Sequence, residues 1–148
     1  MTHLNHRLNP DLTDIPWDQA CQLMDMVGWE KRNVMELRAA FEKSTYSYFV
    51  FDDTRLVGFG RTVDDSQYYA LIVDVVVHPD YQGKGLGTRI VNSLKDALDD
   101  YLFTTLTAAR GKHGFYKKIG WQQQSSAFIW PRNESQIEDH CFTEDGPE

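Results

Sequence analysis

The sequence predicts an α/β fold, a mixed central sheet with flanking helices in a single domain. Three observations carry that reading. Residues 46–63 hold two runs rich in aromatic and β-branched residues, parted by Asp52-Asp53-Thr54-Arg55, the pattern of antiparallel strands in a meander. Residues 68–78 follow as a near-continuous apolar run, Ala70-Leu71-Ile72-Val73 and Val75-Val76-Val77, which implies burial on both faces. Residues 85–101 then place Leu86, Ile90, Val91, Leu94, Leu98 and Tyr101 on one face of a helix, with Arg89, Lys95, Asp96, Asp99 and Asp100 elsewhere.

The elements read in order as follows. Residues 3–8 form a short first strand. Residues 16–27 form a helix, with Asp14 as its cap and Ala20, Leu23, Met24 and Val27 as its apolar stripe. A second helix over 33–43 is capped by Asn33, with Val34, Leu37, Ala40 and Phe41 on one side. Strands follow over 46–51 and 56–63, the latter broken by Gly58 and Gly60. Asp64-Asp65-Ser66 turns the chain into the strand 68–78, which Pro79 stops. After the helix 85–101 come a strand over 103–108, a short helix over 111–119 ended by Gly120, and two short strands over 121–124 and 127–130. The folded domain is expected over 1–132. Residues 133–148 read as a loosely ordered acidic tail with one weak element around 137–142.

Composition narrows the function classes. The chain has 148 residues, 41% hydrophobic and 25% charged, enough to bury a core without disulfides or metals. No apolar run approaches the ~20 residues of a membrane span, and the start MTHLNHRLNPD lacks a signal-peptide centre. A cytoplasmic protein without a membrane partner is expected. Cys21 and Cys141 give neither a disulfide framework nor a zinc spacing, and His3 and His6 are the one close histidine pair, so no metal site is expected. The formal charge of -7 comes mostly from the tail, where Glu134, Glu138, Asp139, Glu144, Asp145 and Glu148 face no Lys or Arg. Residues 101–133 contain no acid and five bases, Arg110, Lys112, Lys117, Lys118 and Arg132. That patch suits a small polyanion better than a nucleic-acid backbone; an ordinary solvated face is the equal alternative.

The informative stretch is VVVHPDYQGKGLGT, residues 75–88. An apolar strand enters a loop with three alternating glycines that opens the longest helix. Unsatisfied amides at a helix start attract phosphate, and glycine lets the backbone approach it. A Walker loop needs Lys-[Ser/Thr] after its last glycine, whereas Thr88 follows Gly87 directly. A dinucleotide fingerprint fails too, because the third glycine, Gly87, comes one residue early.

The spacing that fits is Q-x-x-G-x-G, with Gln82, Gly85 and Gly87. A second pattern, F-Y-x-x-x-G-[FW], is met by Phe115, Tyr116, Gly120 and Trp121, and Val77-His78-Pro79 leads into the loop. On these residues the chain resembles the GNAT superfamily of acyl-CoA-dependent N-acetyltransferases, over roughly residues 46–130. The resemblance implies a mixed, mostly antiparallel sheet and acetyl-CoA as co-substrate. It implies that backbone groups of Val75, Val76 and Val77 hold the pantetheine arm. It implies that the pyrophosphate sits on Gln82, Gly83, Lys84, Gly85, Leu86, Gly87 and Thr88, with Lys112 and Lys118 reaching its phosphates. Tyr116 matches the position that assists the leaving thiolate. Asp74 interrupts the apolar strand where the acceptor amine would arrive; it is the candidate base or orienter, with a structural tie to the backbone or to an arginine such as Arg61 as the alternative.

Two departures stand out. Relatives often carry an acid one residue before Asp74, where this chain has Val73, and often an Asn before the short helix, where this chain has Ala108-Ala109-Arg110-Gly111. His78 is a weaker alternative base, expected in solvent at the strand end.

The activity implied is acetyl transfer to a primary amine, a small molecule being favoured, by direct attack. Neither cysteine lies in a motif, which disfavours a covalent route. Trp17, Trp29, Tyr68, Tyr69, Trp121 and Trp130 are candidate pocket walls, suited to an aryl-alkyl amine or a cation. The family also admits a homodimer. Alternatives are a non-catalytic acyl-CoA sensor, a protein-lysine or N-terminal acetyltransferase, and a nucleic-acid or protein-binding module using the basic patch.

Overall fold

Five strands in sequential order form one sheet: β1 (Leu4–Leu8), β2 (Ser47–Asp52), β3 (Arg55–Asp64), β4 (Tyr69–Val77) and β5 (Phe103–Leu106). The first four pair antiparallel. β5 runs parallel to β4 because a helical crossover separates them. This computed structural model describes residues 3–142. The chain divides into two compact units, the first ending at Leu106 and the second starting at Thr107.

Within the first unit, α1 (Trp17–Met26) and α2 (Val34–Glu42) bury one sheet face. Trp17, Phe41, Phe49 and Phe59 join Leu23, Leu37 and Met24 there, with Trp17 and Phe41 ring centroids 5.2 Å apart. α2 starts as its sequence predicts, Asn33 Oδ1 accepting from the amides of Met35 at 2.8 Å and Glu36 at 3.1 Å. α1 does not start at an Asp14 cap. Asp11 takes the Thr13 amide at 3.0 Å and sets up a tight turn over Leu12–Asp14, and Pro16 then occupies the cap position without a side-chain bond.

The other face is covered by α3 (Leu86–Ala97), through Leu86, Ile90, Val91 and Leu94. Its helical register stops four residues short of Tyr101, whose hydroxyl donates to Asp64 at 2.5 Å. Gly60 allows the approach, since a Cβ there would stand 2.9 Å from Ile90 Cγ2 and 3.1 Å from Leu94 Cδ1.

β4 departs from the expected double burial. Ala70, Ile72 and Val76 are buried, Tyr69 and Leu71 are exposed, and of β4 only Val76 belongs to the core cluster around α1 and α2.

In the second unit, α4 spans His113–Lys118 and α5 Glu134–His140. Asn133 caps α5 on the Gln136 amide at 2.8 Å, so the weak element the sequence suggests around 137–142 is a helix that starts at Glu134 and ends at His140. Residues 143–148 of that expected tail lie outside the described residues. The strands expected over 121–124 and 127–130 are not formed. The first is three parts Gln, and Phe128, 99% exposed, offers no buried face to hold the second. No helix among the described residues is long and apolar enough to cross a membrane.

Candidate active site

The site in the first unit is built around an irregularity in β4. Phe59 pairs with Val76 and Arg61 with Val73, so Asp74 and Val75 together oppose the single residue Gly60. Asp74 takes φ 54°, a left-handed conformation that Asp tolerates better than most residues. β5 pairs with β4 only from Tyr69↔Phe103 to Ile72↔Leu106. Beyond that point the β5-side edge of β4, residues 73–77, has no strand partner among the described residues. The His78 amide donates to Val57 O at 2.8 Å, so by alternation Val76 also faces β3 while Val77 faces the open edge. Gln82 Nε2 donates to Val77 O at 3.0 Å, closing the following loop onto the strand end.

That loop leads into α3. Gly83 and Gly85 have φ of 80° and 83°, and no atom lies within 4 Å of a Cβ built on either. Gly85 occupies the cap position of α3 without a side-chain bond, and the Arg89 amide makes the first helical bond to Gly85 O at 3.1 Å. The amides of Leu86, Gly87 and Thr88 are therefore the free donors of the first turn. The Leu86 side chain is buried beneath them. Lys84 Nζ sits 5.4 Å from the centre of the Tyr81 ring, and Tyr81 donates to Asp52.

Asp74 is not a free carboxylate. Arg61 Nε donates to its Oδ2 at 2.8 Å, and Arg32 Nη2 lies 3.6 Å from its Oδ1. The Asp74 and Arg61 side chains are 9% and 14% exposed. Arg61 also donates to Ser44 Oγ at 3.3 Å and stacks over Phe41. The tie to Arg61 is among the readings the sequence leaves open for Asp74; Arg32 reaches it from the loop between α1 and α2, 42 positions away, which no local pattern signals. His78 is buried rather than solvated: the Asp80 amide donates to its Nδ1 at 3.0 Å and Arg55 faces its Nε2 at 2.8 Å.

Of the aromatic candidates, Trp17 lies in the core and Trp29 packs against it. Tyr68 and Tyr69 are exposed, and Tyr69 stacks on Phe103 at 6.3 Å.

In the second unit, the spacing of Tyr116, Gly120 and Trp121 has a mechanical reason. Gly120 takes φ 102° after α4, its amide donating to Lys117 O at 3.1 Å and that of Trp121 to Tyr116 O at 3.0 Å. These two bonds make a Schellman ending, which brings Trp121 back against Tyr116 at 6.3 Å between ring centroids. Burial pushes the Tyr116 phenol above its ordinary pKa, so it is neutral and a hydrogen-bond donor at neutral pH. Lys112 stands at the start of α4 and Lys118 in its last turn, neither with an ion-pair partner among the described residues. Arg110 pairs with Asp139 of α5 at 3.6 Å, so the acidic segment neutralises part of the basic stretch.

Comparisons with known proteins agree with this architecture. A family model described as an acetyltransferase (GNAT) domain matches residues 23–130. An uncharacterized N-acetyltransferase ycf52 from Pyropia yezoensis is 37% identical over 106 residues, covering 68% of this chain and 61% of the relative. A histone acetyltransferase TAP1 from Glycine max is 33% identical over 116 residues, covering 68% of this chain and 49% of the relative. The chain thus spans about three-fifths or less of the length of these curated relatives. Among solved structures, a GNAT-family acetyltransferase from Streptococcus pneumoniae shares the fold, with a TM-score of 0.72 at 23% identity over 89% of this chain and 100% of that one. A family match through most of the chain, laid over a sheet whose fourth strand bulges at Asp74 and feeds a glycine loop, leads to one conclusion: this chain belongs to the GNAT acetyltransferase family.

Proposed function

We propose that the chain is an N-acetyltransferase that moves the acetyl group of acetyl-CoA to a primary amine by direct attack on the thioester. The observation that carries the reading is the unpartnered edge of residues 73–77 running into a loop whose first-turn amides, Leu86 to Thr88, are free. An extended pantetheine arm adds to that edge as a strand would, and the amides receive its pyrophosphate. Gly83 and Gly85 fit a phosphate cradle, because their left-handed backbone and open surroundings leave the ligand room. By the strand alternation the Val77 amide faces the arm, its carbonyl being held by Gln82, whereas Val76 faces β3. Lys112 and Lys118 are assigned to the phosphates on the family motif.

The chemistry then divides among the chain's residues. The thioester carbonyl is polarised by a backbone amide of the open edge. Tyr116 gives a hydrogen bond to the departing sulfur. Moving its proton outright from a phenol near pKa 10 to a thiolate near 8.5 costs about 2 kcal/mol, and the raised phenol adds to that. Asp74, held by two guanidiniums, acts as a positioning residue that fixes the bulge and hence the open edge. Water then takes the amine proton.

A small-molecule amine is the favoured acceptor, with the exposed rings of Tyr68, Tyr69 and Phe103 as its apolar contacts. Protein lysine is the second reading, favoured by the openness of that surface and by the relative named as a histone acetyltransferase. Calorimetric titration with acetyl-CoA tests the proposal. Micromolar binding, abolished in Gly85→Glu and Gly87→Glu, is expected; no binding by the folded wild-type protein would overturn it. Thiol release with amine and lysine-peptide panels then separates the two acceptor classes.

A further inference from the structure

A cleft of about 370 Å³ lies on the α1 side of the first unit, between α1, the start of β3 and the end of β4. That volume suits a small molecule. Asp18, Gln22 and Met26 line it from successive turns of α1, Arg55 and Leu56 from β3, and His78 from the end of β4. Gln19 Oε1 accepts from the Leu56 amide at 2.8 Å and holds the helix to the strand there. Neither the loop residues 82–88 nor Val75 to Val77 line the cleft. His78 stands two residues after Val76, whose side chain is in the core under α1 and α2, so the two share that face, whereas the loop opens α3 on the other. The bulge at Asp74 is four residues from His78, about 13 Å along the strand.

The hydrogen bonding of His78 is incomplete. The residue is only 5% exposed. Its Nδ1 accepts from the Asp80 amide at 3.0 Å, so the ring proton is on Nε2. Nε2 faces Arg55 Nη2 at 2.8 Å, and a guanidinium has donors only. Two donors therefore meet with no acceptor between them. The other tautomer would move this conflict to the Asp80 amide without removing it. Arg55 has no ion-pair partner among the described residues, and Asp18, which lines the same cleft, has none either. The cleft thus presents two converging donors, a separate carboxylate, and an apolar wall of Leu23, Met26 and Leu56.

We infer that this cleft binds a free aliphatic amino acid, its carboxylate on the Arg55 guanidinium and His78 Nε2, its ammonium at Asp18, and its side chain against Leu23, Met26 and Leu56. A carboxylate oxygen is the acceptor that both donors lack, and a carboxylate matches the guanidinium fork. Asp18 would repel a simple anion, so it selects a ligand that carries its own positive charge. The distance to the bulge makes this amino acid an additional ligand, separate from the amine that attacks the thioester.

The probe is L-leucine, titrated calorimetrically into the full chain with and without saturating coenzyme A, which carries no acetyl group to transfer. Binding with a Kd below about 1 mM, unchanged by coenzyme A, is expected. Isopentylamine, which lacks the carboxylate, and isocaproate, which lacks the ammonium, should each bind about tenfold more weakly. Arg55→Gln and Asp18→Asn, both at exposed positions, should each weaken leucine about tenfold, and Lys95→Ala, an exposed control on α3, should not. Imidazole nitrogen NMR reads His78 directly: a proton on Nε2, with that resonance moving when leucine is added. No binding by the folded wild-type protein, equal binding of either analogue, an unchanged Kd in either cleft variant, or a His78 proton on Nδ1 would overturn the inference. Displacement by coenzyme A would overturn it by assigning the cleft to the co-substrate. The titration without coenzyme A reads leucine binding whether or not the chain transfers acetyl groups, so failure here is separable from failure of the acetyltransferase reading.

Discussion

Removing the Asp74 carboxylate tests whether this residue anchors the bulge or acts as a base. Asp74 and Arg61 are both largely buried, at 9% and 14% side-chain exposure, and are joined by a 2.8 Å hydrogen bond. Deleting one partner of a buried ion pair costs about 3–5 kcal/mol, because the other charge stays behind unpaired. Ala must also adopt φ 54°, which adds about 1 kcal/mol. Asp74→Ala is therefore expected to lose about 5 kcal/mol, a large part of a typical domain's 5–15 kcal/mol. Asn accepts the left-handed conformation and keeps an oxygen for Arg61 Nε, so Asp74→Asn should lose only about 1–2 kcal/mol. Urea unfolding of both variants, with Arg61→Leu and the double variant Arg61→Leu/Asp74→Ala, closes a cycle in which the coupling should exceed about 2 kcal/mol. Activity supplies the second readout. A positioning role leaves the pH profile of kcat in Asp74→Asn with its wild-type shape, at a lower level. An Asp74→Ala protein within about 1 kcal/mol of wild type would refute the anchoring argument. Loss of the acidic limb of the profile in a stable Asp74→Asn protein would instead identify a base.

Three other perturbations probe separate parts of the molecule. Gly60→Ala forces a methyl to 2.9 Å from Ile90 Cγ2, a branched atom close to its backbone; unfolding should show a loss of about 1–3 kcal/mol with the acetyl-CoA affinity of the folded protein unchanged. Tyr116→Phe should lower kcat about tenfold while the Kd for acetyl-CoA, read by calorimetry, moves less than about twofold; an unchanged kcat would remove Tyr116 from the chemistry. The Asp64–Tyr101 pair predicts loss of stability at both pH extremes. Burial disfavours Asp64 ionisation, but donation from Tyr101, Thr45, Thr62 and the Ser66 amide outweighs it and holds the carboxyl below its ordinary range. That stability is present above about pH 4 and lost as pH falls through the lowered value. Burial first, and then Asp64, push the Tyr101 phenol up to about 12, so its contribution is present below about pH 10 and lost as pH rises towards 12. Urea midpoints across pH should show both limbs in wild type and only the acid limb, weakened, in Tyr101→Phe.

Much of the fold and part of the site could be read from residue order, and the division follows the range of the forces involved. Asn33 is legible as a cap because its partners are two and three residues away. The glycine loop is legible because positive φ and free first-turn amides are local properties of Gly83, Gly85 and the residues after them. The α3 stripe is legible because its period matches the helix that buries it. Asp14 misled because it ends the tight turn that Asp11 caps, three residues ahead of Trp17, which leaves Pro16 in the cap position. Residues 121–130 misled because β-branched and aromatic content makes a strand only where a face is buried, and burial is not a local property. What only the tertiary structure decided is where β4 slips its register, where β5 lets go of it, and that Arg61 and Arg32 converge on Asp74. Each depends on chain segments 13 to 42 positions apart in sequence meeting in space. Periodicity and spacing carry no record of which distant side chains will meet, so the open edge and its anchored carboxylate emerge only when the sheet is assembled.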